Sequence, residues 1–450
     1  MTSHYNNDSA IVIGGSIAGL LSARVLADYF ASVTIIETDK LPHLPDARRG
    51  VPQSVQPHVL LTKGYRILEE LFPGIGDKLK AAGALPIDWA REFLIFNRNS
   101  WNAIAPSPSE VVSLTCSRPL LEWGIRQELA NFPNVQFLDG QRVTGVVVHS
   151  STKQIAGVRS RSIIDSNQSE LPASLVVDAS GRRSQAPNWL QELGFTPPPE
   201  TVVNPLLGYA TRRYRPSPST QADWKIMLIS QSPPNGTRLG YLAKIEGGEW
   251  IATLGGYGGD FPPLDNEGFL EFARSLPSPE FYQAIKEAEP TSPIYAHRAT
   301  ANRLRHYEKV ALPQGFVALG DAVCALCPVY GQGMTVSAKA AIVLHDWLAG
   351  QHNLFAQSLI PSRFQKKLAK SNSFSWTVAT TQDARFPTTK GGNKPTLEGG
   401  FLAAYSERLL DLTSSDSNVH TLLLEVTQLL KSPLALYHPQ IVWRVLSKNS

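Results

Sequence analysis

The turn Gly14-Gly15-Ser16-Ile17-Ala18-Gly19, with Glu37 about 20 residues beyond its start, has the residue types and spacing to hold a dinucleotide. Backbone N–H groups at the start of a helix carry partial positive charge and cradle a pyrophosphate. Gly14 permits the tight turn, and Gly19 lets helix and strand pack closely. Glu37 is spaced to accept hydrogen bonds from a ribose hydroxyl. Ser16 replaces the middle glycine of G-x-G-x-x-G, where backbone approaches phosphate, and serine is small enough for that approach. The flanking residues supply the elements that must position this turn. Ile11–Ile13 read as a buried strand, and Leu20, Leu21, Val25 and Leu26 as the apolar face of a helix. Val33, Ile35 and Ile36 read as the next strand, which Glu37 ends. The unit is Rossmann-type, strand–turn–helix–strand.

The same residues allow a rival reading. Gly14-Gly15-Ser16-Ile17-Ala18 has the shape of a nucleophile elbow, G-x-S-x-G, with its last glycine replaced. An elbow serine needs a distant histidine and acid, and here it would sit on the first strand, where α/β-hydrolases do not normally place it. The dinucleotide reading is the stronger one.

At 450 residues the chain is long enough for two or more domains. Its 42% hydrophobic and 18% charged content is ordinary for a soluble globular enzyme. A net charge of +4 without a dense basic run does not suggest nucleic acid as a partner. No apolar stretch reaches the roughly 18–20 residues that span a bilayer, so membrane association is not expected. The polar residues before the first strand do not read as a signal peptide, and three cysteines fit a reducing, cytoplasmic setting. Cys324 and Cys327 form a lone C-x-x-C with no second ligand pair at zinc spacing, so no metal site is expected; a redox pair is the alternative.

The proline-rich stretch 41–57 reads as loop. A helical pattern covers 62–82, interrupted at Pro73-Gly74, and strand-like runs occupy 91–97 and 110–114. A helix opens at Ser117-Arg118-Pro119 and runs to about Leu129. Strands follow near 135–138, 142–149, 155–161 and 173–178. Residues 199–259 read as successive antiparallel strands, 265–287 as helices, 316–320 as a strand, and 333–349 as a helix. Beyond 356 the chain reads as mostly helical, with 386–395 as an exposed loop. Only one strong dinucleotide turn is present, so either the bound nucleotide is the sole cofactor or a second binds transiently on the surface.

Two further segments carry a family resemblance. Residues 315–335, GFVALGDAVCALCPVYGQGMT, read as a strand ending at Gly320-Asp321, a loop with Pro328 and Gly331-Gln332-Gly333, and a helix containing Met334. With LVVDASGRRS at 175–184, they resemble the single-component flavin monooxygenases of the para-hydroxybenzoate hydroxylase class. RRGVPQSVQPHVLL (48–61), TCSRPLLEWGIR (115–126) and ANRLRHYEKV (301–310) resemble the branch that epoxidises polyene precursors of polyethers, and equally a broad set of bacterial relatives. The likeness spans roughly residues 10–350. Val55 and Gln56 depart from the branch's loop pattern, which Gln53 and His58 keep, and Cys324 stands where many members carry histidine.

The resemblance implies a fold: α/β, with a Rossmann-type FAD-binding domain, an antiparallel β-sheet substrate domain and a helical C-terminus. It divides the chain into a discontinuous FAD-binding domain (8–85, 110–195 and 296–350), a substrate domain (86–109 and 196–295) and a helical region (351–450). It implies FAD as cofactor and NADPH or NADH as co-substrate. The implied contacts are the turn Gly14–Gly19, Glu37, Arg49 or Arg48, Arg118, Asp321 on the ribityl chain, and Pro328, Gly331, Gly333 and Met334 near the flavin. The implied reaction transfers one oxygen atom from O2, through C4a-hydroperoxyflavin, to an apolar small organic substrate. No catalytic side chain stands out, and the want of a clear base favours alkene epoxidation over phenol hydroxylation. An FAD-dependent reductase or dehydrogenase, a flavin halogenase and a non-catalytic flavin-binding protein are the alternatives, although the W-x-W-x-I-P signature of halogenases is missing.

Overall fold

A computed structural model describes residues 9–217, 220, 222–350, 359–392 and 399–447. The expectations that fall on Asp8, on 351–358, on 393–398 and on Lys448 lie outside the described residues.

The strand Ser9–Ile13 is central in a five-stranded parallel sheet, between Leu175–Asp178 and Ser32–Glu37. Phe316–Ala318 and Val135–Asp139 complete the edges. Both faces are covered, so the strands read as nearly unbroken apolar runs; all four residues of Leu175–Asp178 are buried. The helices Ile17–Leu26, Arg118–Leu129 and Gly333–Ala349 share one hydrophobic core with this sheet. The glycine turn and the Gly320-Asp321 turn both leave the carboxyl ends of its parallel strands, the usual place for a ligand in an open α/β sheet.

A second, eight-stranded sheet is built from Gly208–Arg215, Trp250–Gly256, Arg238–Lys244 and Ile226–Ile229, with Phe93–Asn97 and shorter strands at its margins. Gly208–Arg215 alternates across the pleat. Ala210 and Tyr214 pack on the helices Asn266–Arg274 and Glu280–Ile285 with Phe269 and Phe281, while Tyr209 and Thr211 face the other way. We call that other side the front face.

Several local expectations are corrected. The run at 91–97 begins as one helical turn, Trp89–Glu92, because the Asp88 side chain accepts from Ala90 N and caps it. Phe93–Asn97 then pairs in parallel with Ile226–Ile229, so the second sheet is not wholly antiparallel. Glu200–Val203 leaves that sheet and joins Asn302–Arg305 and Cys324–Ala325 in a three-stranded one. Gln168–Pro172 adds an unexpected strand to the meander of Gln141–Val148 and Ile155–Ser162. The loop 41–57 contains a 3-10 turn, Pro52–Val55. The described part of 386–395 is a mostly exposed loop, anchored by the buried Phe386 and by a bridge from Lys390 to Asn204.

The C-terminal helices are built into the rest. Pro361–Asp383 lies on Gly333–Ala349, where Trp347 and Phe364 meet with ring centroids 5.5 Å apart. Gln365 Nε2 donates to Ala318 O at 2.9 Å. Leu424, on the helix Ser417–Thr427, packs with Trp89, Phe93 and Ile226. Among the described residues, no helix is long and apolar enough to cross a membrane.

Candidate functional site

Gly14 adopts φ +103°, and a Cβ there would meet Ala179 O. At Gly19 a Cβ would collide with Gly14 O, so helix and strand cross at a distance only glycine allows. Ser16 is the N-cap residue of Ile17–Leu26, yet its side chain makes no capping hydrogen bond. The first-turn N–H groups are therefore left for another acceptor, as an anion site requires. Ser16 Oγ instead donates to Glu122 Oε2 at 2.7 Å and accepts from Arg118 Nη2 at 2.8 Å. Ile17 is buried and Ala18 half-buried beside it.

A buried ion network surrounds this turn. Gly15 N donates to Glu37 Oε2 at 2.8 Å, and Asp39 N to Glu37 Oε1 at 3.0 Å. Arg48 reaches Glu37 at 3.0 Å, Asp39 at 3.2 Å and Glu122 at 2.7 Å. Arg118 and Arg126 approach Glu122 at 3.4 and 3.6 Å. Three guanidinium groups thus meet three carboxylates. Burial lowers Arg118, and Glu122 opposes that shift; burial raises Glu122, but Arg118 and Arg48 hold it below the usual carboxylate range. Of the two arginines read in the 48–49 pair, Arg48 turns inward while Arg49 is exposed. Glu122 was not singled out in the sequence, although its i,i+4 spacing from Arg118 on one helix was a readable signal.

Across the sheet ends, Asp321 lies in the 3-10 turn Gly320–Ala322, with Oδ2 3.7 Å from Arg182 Nε. The turn Pro328–Tyr330 ends at Gly331, with φ +64°, and Gly333 opens the helix Gly333–Ala349. A Cβ at Gly333 would meet nothing within 4 Å, and Gln332 Oε1 is buried without a hydrogen-bond partner. Met334, His58, Leu60, Cys116 and Arg118 line a cavity of about 10 Å³. His58 is held neutral: burial first, then the Arg118 charge, push it down to about 3. Its Nδ1 lies 3.0 Å from Gln56 O, so Nδ1 carries the proton and donates.

The front face of the eight-stranded sheet covers this region. Thr211 Oγ1 donates to Gln56 Oε1 at 2.5 Å, in the loop that carries His58. Tyr209 packs with Cys327, Val329 and Tyr330 of the glycine-rich loop. Asp178 ends its strand: buried, it accepts from Ser180 N, Ser180 Oγ and Ser184 Oγ. Cys324 and Cys327 are free thiols, both raised by burial, Cys324 to about 12. Among the described residues, no group of three or more His, Cys, Asp or Glu could hold a metal ion.

Over 400 residues the chain is 31% identical to Protein Rv3254 of Mycobacterium tuberculosis (strain ATCC 25618 / H37Rv), a match covering 86% of this chain and 82% of that protein. The chain belongs to the family of this mycobacterial protein. It is also 24% identical over 397 residues to Squalene monooxygenase of Mus musculus, covering 84% of this chain but 60% of the mouse protein. PqsL of Pseudomonas aeruginosa, a probable FAD-dependent monooxygenase, superposes with a TM-score of 0.59 at 16% identity, covering 84% of this chain and 96% of that one. Flavin-dependent halogenases share the architecture as well. The fold is that of the FAD-binding flavoproteins, as the family resemblance implied. No protein-family model matches the chain.

Proposed function

We propose that the protein is an FAD-dependent monooxygenase that takes electrons from NADPH or NADH and places one oxygen atom from O2 on an apolar organic substrate. The observation that carries this reading is the uncapped helix start at Ser16, ringed by Arg48 and Arg118 and facing the Asp321 turn. FAD fits these residues. The first-turn amides with Arg118 and Arg48 would hold the pyrophosphate, Glu37 the adenosine ribose, Asp321 the ribityl chain, and the Gly331–Gly333 amides the pyrimidine edge. The open side of Gly333 and the unpartnered Gln332 Oε1 leave donors and acceptors for the ring.

Bound FAD would supply the redox chemistry with O2. The chain's part is to orient and to exclude water. The front face of the second sheet would roof the ring, with Tyr209, Thr211 and Tyr241 toward it. Burial raises the Tyr209 and Tyr241 phenols, so they stay protonated and do not serve as bases near neutral pH. His58 is neutral and engaged with Gln56 O. None of these three side chains is a ready base near neutral pH, which suits epoxidation of an alkene better than hydroxylation of a phenol. The mouse relative's name supports a monooxygenase over a halogenase, as does the missing W-x-W-x-I-P sequence.

The test has three parts. Acid extraction of the purified protein should release FAD; FMN, or no flavin after reconstitution, would overturn the cofactor. NADPH oxidation should depend on O2, whereas oxidation that continues with another acceptor in its absence favours a reductase. Mass spectrometry over a panel of alkenes and phenols should find a product heavier by one oxygen atom; a halogenated product in the presence of bromide or chloride would overturn the reading.

A further inference from the structure

Asp383, the last residue of the helix Pro361–Asp383, is fully buried and meets hydrogen-bond donors at both carboxylate oxygens. Tyr330 OH donates to Oδ1 at 2.6 Å and Tyr257 OH at 3.2 Å. Asn302 Nδ2 donates to Oδ2 at 2.6 Å. The other end of the Asn302 amide is also used: its Oδ1 accepts from Cys327 N at 2.7 Å. One carboxylate therefore grips the segment Cys327–Tyr330 at both ends, through a backbone amide and through a phenol. That segment runs directly into Gly331–Gly333.

We propose that Asp383 is a positioning residue for the flavin loop: its ionised carboxylate holds Tyr330 and, through Asn302, the Cys327 amide, and so sets Gly331–Gly333 for the cofactor. This rests on the FAD reading above. It ties the C-terminal helical region to the cofactor site through Tyr330 and Asn302.

The orientation of Asn302 is dictated by chemistry. Cys327 N is a donor only, so Asn302 must turn its oxygen to Cys327 and its NH2 to Asp383. Oδ2 of Asp383 must then accept. A carboxylate satisfies all three incoming donors, but a carboxylic acid has to place a proton among them. The groups facing Asp383 cannot take over its charge. Burial raises the Tyr257 and Tyr330 phenols and the Cys327 thiol, and does the same to nearby Tyr209, so all stay protonated. Arg182 turns to Ala301 O, Leu326 O and Asp321, and Arg385 to Gln382 and Glu407. Burial pushes Asp383 up to about 6 against its three hydrogen bonds. If FAD prefers the gripped loop, binding favours the ionised form, and affinity falls as pH falls through that value.

The experiment follows release of FAD from the holoprotein on dilution, read by the rise in flavin fluorescence, between pH 7.5 and 5. Wild type, Asp383→Asn and Tyr330→Phe are compared, with thermal melts to confirm folding. The expected result is a wild-type FAD affinity that weakens with falling pH, and a flat profile for Asp383→Asn. Tyr330→Phe, which buries no new charge, should bind FAD about tenfold more weakly across the range, the size of one lost hydrogen bond to a charged group. The same pH profile in wild type and Asp383→Asn, with wild-type affinity in Tyr330→Phe, overturns the inference and leaves the FAD reading standing. Wild type that holds no FAD at any pH overturns the FAD reading and this inference with it. Should Asp383→Asn fail to fold, Tyr330→Phe alone decides.

Discussion

Ser16 Oγ donates to Glu122 Oε2 at 2.7 Å, tying the glycine turn to the helix Arg118–Leu129. The residue that departs from the glycine pattern is thus matched by a buried acid 106 positions along the chain. Glu122 also holds Arg48 and approaches Arg118 and Arg126, so it organises the charges around the turn.

Glu122→Ala should therefore destabilise the fold more than Ser16→Ala does. Removing one partner of a buried pair leaves charge uncompensated, worth about 3–5 kcal/mol, against about 1.5–3 kcal/mol for a hydrogen bond to a charged group such as Ser16 Oγ makes. Thermal melts at pH 7.5 measure both. The pH dependence has a definite sign. Glu122 is lowered in the folded protein, so its contribution is present above the ordinary glutamate range and lost as pH falls through the lowered folded value. The destabilisation by Glu122→Ala should shrink in acid; a constant difference would show that its charge is not what stabilises.

Arg48 and Arg49 should separate cleanly. Arg48→Ala should lower the flavin content of purified protein, while Arg49→Ala, on the exposed loop, should stay within about twofold of wild type. Asp321→Ala should weaken FAD about tenfold to a hundredfold, as expected for loss of a charged hydrogen-bond acceptor. Flavin absorbance per protein reads all three; equal content in Arg48→Ala and wild type would remove Arg48 from the site.

The two loop cysteines should be dispensable for chemistry. Both are buried thiols raised by desolvation, which makes thiolate scarce. The double Cys→Ser variant should keep NADPH-driven flavin reduction within a few fold. It should also melt earlier, since buried hydroxyls replace apolar thiols. Normal reduction with failed reoxidation would instead mark a redox pair.

Deleting 420–450 should cost the protein its solubility or its flavin. Gln428 caps the helix start at Thr62 N at 2.7 Å, and Asn102 Nδ2 meets His420 Nε2 at 3.0 Å in the interior. Leu434, Tyr437, Trp443 and Leu446 are exposed on the last turns, but Leu424, Val426 and Val445 are buried, and Lys431 and Arg444 pair with Glu425 and Asp416. A truncated chain that stays soluble, keeps flavin and loses only liposome co-sedimentation would reassign this segment to a membrane surface.

The sequence by itself determined the features whose physics is local. The turn Gly14–Gly19, its flanking strands, the Ser117-capped helix and the Gly320-Asp321 turn follow from short-range sterics, alternation and capping, and they were legible as written. Tertiary structure alone decided whatever depends on which distant groups meet. Nothing in the run 48–49 says which arginine turns inward; three carboxylates drawn from two other segments do. Nothing at 91–97 announces a parallel partner, because pairing direction depends on how the chain returns at 226–229. Nothing in the sequence marks out Asp383 within the mostly helical stretch beyond 356. Its weight comes from burial, which makes each hydrogen bond costly to lose, and from Tyr257, Asn302 and Tyr330, which reach it from three other parts of the chain.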